Sequence, residues 1–281
     1  MTAFVAALRP GFGRGVIELR QSFAGAGLIG HLLWPVVTLI AIYLLRDTQF
    51  EGSEFTLGAM ILPSVLGMFV ALGALLVIQY LTAEREDGTL LRAKATPNGI
   101  RGYFLGKLVT VSGTVLAYLA ILLIPGHFIV HSLELDSLRS WLTFGWVLLL
   151  GLIATQSIGA MLGALVSSPR GAGYISLPVI GLIAISGIYY PITAFPGWVQ
   201  AIAQVFPMYW LGLGMRSALL PDAFASIEIG GTWRPVETLA VLGAWALLGV
   251  VLAPIVLRRM ARRESGSSVA KRRDQALQRV M

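Results

Sequence analysis

The sequence contains no cysteine, which excludes disulfide bonds, thiol chemistry and zinc–thiolate sites. Its three histidines, His31, His127 and His131, are too few and too scattered for a convincing metal site. Charged residues make up only 12% of the chain, whereas a soluble domain usually carries about 25%. Hydrophobic residues make up 56%, and the mean hydropathy is +0.78. This composition is typical of an integral membrane protein.

Six apolar stretches are long enough to cross a bilayer, which takes roughly 20 residues. They cover residues 28–45, 57–82, 103–124, 141–166, 174–190 and 236–257. We expect no Asp, Glu, Lys or Arg in the interior of any span. Carriers driven by ion gradients usually bury such a group, so a gradient-driven carrier is disfavoured. The sequence therefore predicts an all-α membrane protein with six transmembrane helices, which together form a domain over residues 28–257.

The distribution of basic residues predicts the orientation of these spans. If both termini lie on one side, that side carries 17 of the 21 Lys and Arg residues. The positive-inside rule then places the N- and C-termini in the cytoplasm. The net charge of +7 is thereby explained without a nucleic-acid partner. Residues 258–281 form a basic cytoplasmic tail, for which binding to anionic membrane lipids is an open alternative.

Two further segments are expected to lie at the membrane surfaces. Residues 1–27 form a cytoplasmic N-terminal segment that contains an amphipathic interfacial helix. Residues 191–235 are too apolar for a solvated loop, and prolines interrupt them. They predict short outer helices that dip into the outer leaflet or lie along it. The aromatic residues suited to the headgroup level there are Trp198, Tyr209 and Trp210.

No catalytic or nucleotide-binding motif accompanies the spans. The chain lacks the Gly-x-x-x-x-Gly-Lys-Ser/Thr loop that cradles ATP phosphates, and no nucleophile–base pair or carboxylate pair stands out. We therefore expect no enzyme activity and no cofactor in this chain. A six-span protein without an energy source of its own would have to draw energy from elsewhere.

One charged segment, residues 83–107, separates the second and third apolar stretches. Its five basic and three acidic residues must lie in water or at the membrane interface. Glu84, Glu86 and Asp87 are expected to open a short helix, where negative charge suits the helix dipole. Gly88 allows a tight bend. The pattern predicts a cytoplasmic docking element, and an ordinary solvated loop is the alternative.

Several strings resemble the ATP-binding-cassette type 2 permeases, the membrane subunits of exporters for drugs, natural products and polysaccharides. The strings are Glu84-Arg85-Glu86-Asp87-Gly88-Thr89-Leu90, Ala95-Thr96-Pro97, Gly106-Lys107, Ser186-Gly187-Ile188-Tyr189-Tyr190-Pro191, Phe195-Pro196-Gly197-Trp198 and Phe206-Pro207. The resemblance covers nearly the whole chain. It implies that residues 83–102 contain a coupling helix set in a cleft of a separate ATPase. The residues implied in that contact are Glu84, Arg85, Glu86, Asp87, Gly88, Thr89, Leu90, Arg92, Thr96 and Pro97.

The same resemblance implies the partners and the setting. ATP and Mg would be bound by ATP-binding-cassette ATPase subunits, and a second permease, a copy or a relative, would complete the complex in a bacterial plasma membrane. Candidate pathway residues are Phe69, Gln79, Ser186, Tyr189 and Tyr190, for which ordinary helix packing is the alternative. The scarcity of charge favours an amphipathic small molecule, drug or lipid-like cargo. A polysaccharide or glycolipid exporter and a non-transporting membrane scaffold or sensor remain open.

One group of small residues predicts how two spans pack. Gly159, Ala160 and Gly163 lie on one face of the fourth span, which allows a close approach of another helix. Gly67 and Ala71 do the same in the second span. Such faces more often pack within a subunit than between subunits.

Overall fold

The computed structural model describes residues 2–49, 56–96, 99–188, 191–267 and 270, with side chains for all of these except 2–8 and 169. Regular structure in these ranges is helical, apart from an isolated β-bridge between Gln49 and Thr56. The α-helices are α1 (Thr2–Ser22), α2 (Ala26–Leu45), α3 (Leu57–Glu86), α4 (Thr89–Lys94), α5 (Gly99–Ile129), α6 (Leu138–Leu165), α7 (Pro169–Ala184), α8 (Gly197–Val205), α9 (Pro207–Leu219) and α10 (Pro235–Arg263). Short 3₁₀ helices cover Ile192–Ala194, Asp222–Ile227 and Ile229–Gly231.

Five helices, α2, α3, α5, α6 and α10, are long and apolar enough to cross a membrane. The predicted fifth span corresponds to α7, which has 16 residues and is therefore about 24 Å long. That is shorter than the hydrocarbon core of about 30 Å. The chain is thus a multi-pass membrane protein by its helices, while the count of six spans stays a prediction.

The bundle has two distinguishable ends, named here after one buried arginine at each. At the Arg85 end, α3 finishes, and the residues just before α7 and just after α10 meet it. At the Arg216 end, α9 meets Ser64 near the start of α3 and Gly187 just after α7. The segment from 166 to 187 therefore leads from one end of the bundle to the other, although its helix is short.

Helix α1 lies along the first half of α5, so the N-terminal segment is also at the Arg85 end. A side chain at Gly11 or Gly15 would clash with the backbone of Gly102 or Gly106, which shows how closely the two helices approach. The N-terminal helix, the charged segment and the end of α10 thus share one end, as the basic-residue pattern predicts. Which end faces the cytoplasm stays a prediction.

Helix α3 is the central helix, with 72% of its apolar window buried, compared with 11% for α2 and 22% for α10. Large apolar side chains point outward from the two peripheral helices, for example Trp34 and Leu44 on α2 and Leu247 on α10. Surfaces of this kind require lipid or another protein subunit as their surroundings.

The predicted small-residue faces pack within the subunit. A side chain on Gly159 of α6 would overlap the backbone of Ala74 in α3, and one on Gly163 would press on Ile78. Gly67 of α3 faces the backbone of Leu211 in α9 in the same way. These contacts place α6 and α9 directly against α3.

Candidate functional site

A sharp bend separates α3 from the short helix α4. Gly88 adopts φ 79°, a left-handed conformation that favours glycine. The Asp87 side chain accepts a hydrogen bond from the Thr89 backbone N–H at 2.7 Å and so satisfies the first free N–H of α4. Glu84 and Glu86, predicted to open this helix, instead belong to the last turn of α3. Only the third of the three predicted acidic residues lies at the start of α4.

Helix α4 has a buried inner face and an exposed outer face. Leu90 is fully buried and Ala93 is 6% exposed, so these two side chains fix α4 to the bundle. Arg92 and Thr96 are exposed on the opposite side. The Arg92 guanidinium donates to the Thr89 hydroxyl at 2.7 Å, which holds it close to its own helix. The exposed face is thus short, polar and firmly supported.

Arg85 is buried instead of pointing toward a partner. Its Nε lies 3.2 Å from the Glu264 carboxylate, and its Nη1 donates to the backbone carbonyls of Val166 and Ala164. The Arg85 side chain is 11% exposed and that of Glu264 only 1%. This ion pair therefore joins the end of α3 to the end of α6 and to the residue after α10.

Lys94 connects α4 to the same place. Its ammonium group donates to the Glu264 backbone carbonyl at 3.0 Å. Glu264 thus contacts both α3 and α4, although it was assigned to the basic tail in the sequence. No local pattern marks it as a structural residue, because its two partners lie about 170 and 180 residues away along the chain.

A second ionic cluster joins α1, α3 and α5. The Lys107 ammonium group pairs with both Glu18 and Glu84, and it is 4.9 Å from the centre of the Tyr80 ring. Burial alone would raise the pKa of the Glu18 carboxyl, but hydrogen bonds from Lys107 and Arg14 outweigh it and lower that pKa. Glu18 is therefore held in its charged form.

Lys107 also corrects the expectation that the spans contain no charge. It lies within the predicted third span, two turns into α5, and is only 5% exposed. The lysine is tolerated there because two carboxylates neutralise it. A basic residue near the end of an apolar stretch resembles a boundary signal in the sequence, and its burial depends on partners in α1 and α3.

The ten residues implied in ATPase contact therefore fall into distinct environments. Asp87, Arg92 and Thr96 are exposed on or beside α4, whereas Arg85, Gly88 and Leu90 are buried. Glu84, Glu86 and Thr89 are half-buried. Pro97 lies outside the described residues. The exposed members are available to a partner, and the buried members fix α4 to the bundle.

The Arg216 end carries a buried ion pair of its own. Arg216 Nε lies 2.7 Å from the Glu228 carboxylate, and its Nη1 donates to the Ser64 hydroxyl at 2.9 Å. Both charged side chains are 2% exposed. The pair fixes α9 against α3 and against the 3₁₀ segment near 228. It lies in the stretch predicted to form outer helices, and the charge pattern there did not identify it.

Of the pathway candidates, Phe69 and Ser186 are buried inside the subunit. Phe69 packs edge-on against Tyr118, and the Ser186 hydroxyl donates to the Ile183 carbonyl at 2.6 Å. Gln79 is exposed on α3. Tyr189 and Tyr190 lie outside the described residues. A role of these residues in a cargo pathway stays a prediction.

The three outer aromatic residues also differ in environment. Trp198 on α8 is 69% exposed, as a headgroup contact requires. Tyr209 and Trp210 on α9 are buried, and the Trp210 indole donates to the Gln204 carbonyl at 2.7 Å. They contact protein because α9 packs between α3 and α6.

A nearby open cavity of 560 Å³ is lined by residues of α6, including Arg139 and Trp146, by the end of α9, by the segment between α9 and α10, including Trp233, and by the start of α10. In the ranges that the structure describes, no group of three or more His, Asp and Glu residues could hold a metal ion. The Arg85 end of the bundle thus presents a short helix, α4, with an exposed polar face and a buried apolar face.

The chain belongs to the ABC-2 family transporter proteins, whose family model matches residues 38–256. Among curated proteins, none matches the chain. Members of this family are membrane transport subunits, and a separate subunit hydrolyses ATP. The family supports an ABC exporter permease and implies an ATPase partner in general.

Proposed function

We propose that this chain is the membrane subunit of an ATP-driven exporter in a bacterial plasma membrane, with α4 as the coupling helix. The exposed face of α4 docks in a cleft of a separate ATPase subunit, which binds ATP and Mg. The observation that carries the proposal is the combination of an exposed outer face with an anchored inner face at Leu90 and Ala93.

The contacts behind α4 explain how force would reach the spans. Lys94 and Arg85 converge on Glu264, and Arg85 also holds the end of α6. A displacement of α4 would therefore be passed to α3, α6 and α10. ATP-driven closure of the partner would tilt these helices and switch access to the pathway.

The orientation follows from the charge bias at the two ends. Three segments lie at the Arg85 end: the N-terminal segment, α4 and the end of α10. Because this end carries most of the Lys and Arg residues, it is cytoplasmic. Cargo is an amphipathic small molecule, drug or lipid-like compound. Because α2 and α10 leave apolar surface uncovered, a second permease, a copy or a relative, completes the pathway.

The experiment uses charge reversal on the exposed face of α4. Arg92→Glu is expected to reduce copurification of the ATPase subunit at least about tenfold. Reversing a charge at an interface places like charges opposite each other, which costs several kcal/mol. The charge-preserving Arg92→Lys variant is expected to retain it. In proteoliposomes, transport should require ATP and the partner and should be insensitive to ionophores.

The matched control is Arg170→Glu, which makes the same charge change at an exposed position beside the start of α7, at the same end of the bundle. We expect this variant to retain the ATPase subunit. Equal losses in both reversals, or full ATPase binding by Arg92→Glu, would contradict docking through α4. ATPase binding without any ATP-dependent transport would identify a scaffold or sensor instead.

A further inference from the structure

An open groove lies at the Arg85 end between α4, the start of α5 and the end of α10. Its volume is 450 Å³, and four basic side chains line it: Lys94, Arg101, Arg258 and Arg262. The remaining lining residues are uncharged, namely Thr96, Gly99, Ile100 and Ala261. The groove therefore concentrates positive charge contributed by three separate helices.

The positive charge of the groove is not neutralised by the described parts of the chain. The ion pairs found there do not include Arg101, Arg258 or Arg262. The Glu264 carboxylate pairs with Arg85, and the Lys94 ammonium group donates to the backbone carbonyls of Arg262 and Glu264. Among the residues that the structure describes, an anionic group entering the groove would therefore meet three arginines that form no ion pair.

The surface of α10 beside the groove is apolar. Val251, Ile255, Arg258 and Arg262 follow one another at spacings of four, three and four residues, so they share one helix face. Val251 is 53% exposed and Ile255 48%, and the two arginines are exposed as well. The face thus changes from apolar to basic along the helix, toward the Arg85 end.

Helix α5 shows the same arrangement on the other side of the groove. Arg101 is exposed at its first turn, and Leu108, seven residues later on the same face, is 44% exposed. A phosphate bound by the arginines of the two helices would lie next to the exposed side chains of Leu108, Val251 and Ile255. A molecule with an anionic headgroup and acyl chains fits both the basic and the apolar part of this surface.

We propose that this groove is a binding site for the anionic headgroup of a phospholipid. Lys94, Arg101, Arg258 and Arg262 bind the headgroup phosphate, and the acyl chains lie along the exposed face of α10 and along α5. The bound lipid bridges α4 to α10 at the point where Lys94 already contacts the chain after α10. The proposal concerns lipid binding alone and does not depend on the direction or cargo of transport.

The acyl-chain surface distinguishes a lipid from the two other ligands that a basic groove could take. A soluble phosphate would use the cations but not Val251, Ile255 or Leu108. An acidic protein surface would also have no use for apolar side chains that continue along the spans. The juxtaposition of basic and apolar levels on both α5 and α10 therefore favours a membrane lipid.

The test measures phosphatidylglycerol binding to the purified full-length protein by native mass spectrometry during a lipid titration. The variant Arg258→Gln/Arg262→Gln is expected to weaken binding about thirty-fold, or about 2 kcal/mol at 1.4 kcal/mol per factor of ten. Arg101→Gln, on a different helix, is expected to weaken it about fivefold. Phosphatidylcholine binding should not differ among the proteins.

The matched control is Arg259→Gln/Arg263→Gln, which removes the same charge from the same turns of α10 but outside the groove. It should bind phosphatidylglycerol as the wild type does. The variant Arg258→Lys/Arg262→Lys keeps the charge and should retain most of the binding. Equal weakening by all three double variants would show non-specific attraction or misfolding and would overturn the proposal.

Two further outcomes also decide between ligands. Excess glycerophosphate should fail to displace phosphatidylglycerol; complete displacement would show a site for a soluble anion and would contradict a lipid site. Loss of ATPase copurification in Arg258→Gln/Arg262→Gln with unchanged phosphatidylglycerol binding would assign the groove to protein docking, and the lipid proposal would be wrong.

Discussion

Arg216 and Glu228 form an ion pair at 2.7 Å in which each side chain is only 2% exposed. Arg216 also donates to Ser64 of α3, so one guanidinium connects α9, α3 and the segment near 228. At the opposite end, Arg85 connects α3, α6 and Glu264 in a comparable way. The central helix is therefore fixed at both ends by a buried arginine.

Breaking the Arg216–Glu228 pair on one side should be costly. Arg216→Met leaves the Glu228 carboxylate buried without its partner, and we expect a loss of about 3–5 kcal/mol in stability. The double variant Arg216→Met/Glu228→Leu should recover much of that loss, because Ser64 keeps its own bond to the Met60 carbonyl. Thermal unfolding in detergent measures both. A double variant less stable than Arg216→Met would contradict this account.

The Arg85–Glu264 pair makes a different prediction. Arg85→Gln and Glu264→Gln should each reduce stability and ATP-driven transport, since each removes one charge of a buried ion pair. The exchange Arg85→Glu/Glu264→Arg should not restore function, because a glutamate at 85 cannot donate to the carbonyls of Val166 and Ala164. Unfolding temperature and ATPase stimulation in proteoliposomes are the measurements. Rescue by the exchange would show that the charges alone matter.

The close contact of α6 with α3 can be tested with two glycines on one helix. Gly159→Ala should destabilise the protein by about 1–3 kcal/mol, because the added carbon overlaps the Ala74 backbone. Gly145→Ala is the control, since nothing lies within 4 Å of its added carbon. It should be neutral or stabilise by up to about 1 kcal/mol. Unfolding curves that rank the variants in the reverse order would contradict the packing.

The docking of α1 should depend on pH. The pKa of Glu18 is lowered in the folded protein, so its contribution is present above the unfolded pKa and is lost as pH falls through the folded pKa. Because the chain has no native cysteine, a nitroxide on a single-cysteine variant at Ile17 reports α1 mobility. We expect mobility to rise in that acidic range.

In Glu18→Gln, α1 should be more mobile at neutral pH, and its mobility should hardly change with pH in the acidic range. Phe12, which is 59% exposed on the same helix, offers a second labelling position with the same expected response. A pH response of equal size in Glu18→Gln would assign the change to another group.

The local features of this chain could be predicted from its sequence. The charged segment, the bend at Gly88 and the small-residue face at Gly159 are each set by neighbours a few positions away, and the structure has all three. The predicted docking surface is only partly as expected. Arg85 has the same charge as Arg92, yet it is buried and paired, while Arg92 is exposed.

The long-range partners could not be predicted because nothing local specifies them. Glu264 follows α10 by one residue and lies 179 positions from Arg85, so its burial depends on how the whole bundle closes. Tyr209 and Trp210 have the composition of an interfacial belt, but α9 packs inward and buries them. For α7, composition predicted a full span, and the helix ends at Ala184.

The position of Glu264 also sets how much of the chain the helical bundle needs. A shortened or tagged version cut at residue 257, where the apolar stretch stops, would remove the partner of Arg85 and the anchor of Lys94 along with the tail. A version of the protein made for purification should therefore keep the chain through at least residue 264. A reporter fused directly after α10 would disturb the contact between Lys94 and Glu264, on which the position of α4 depends.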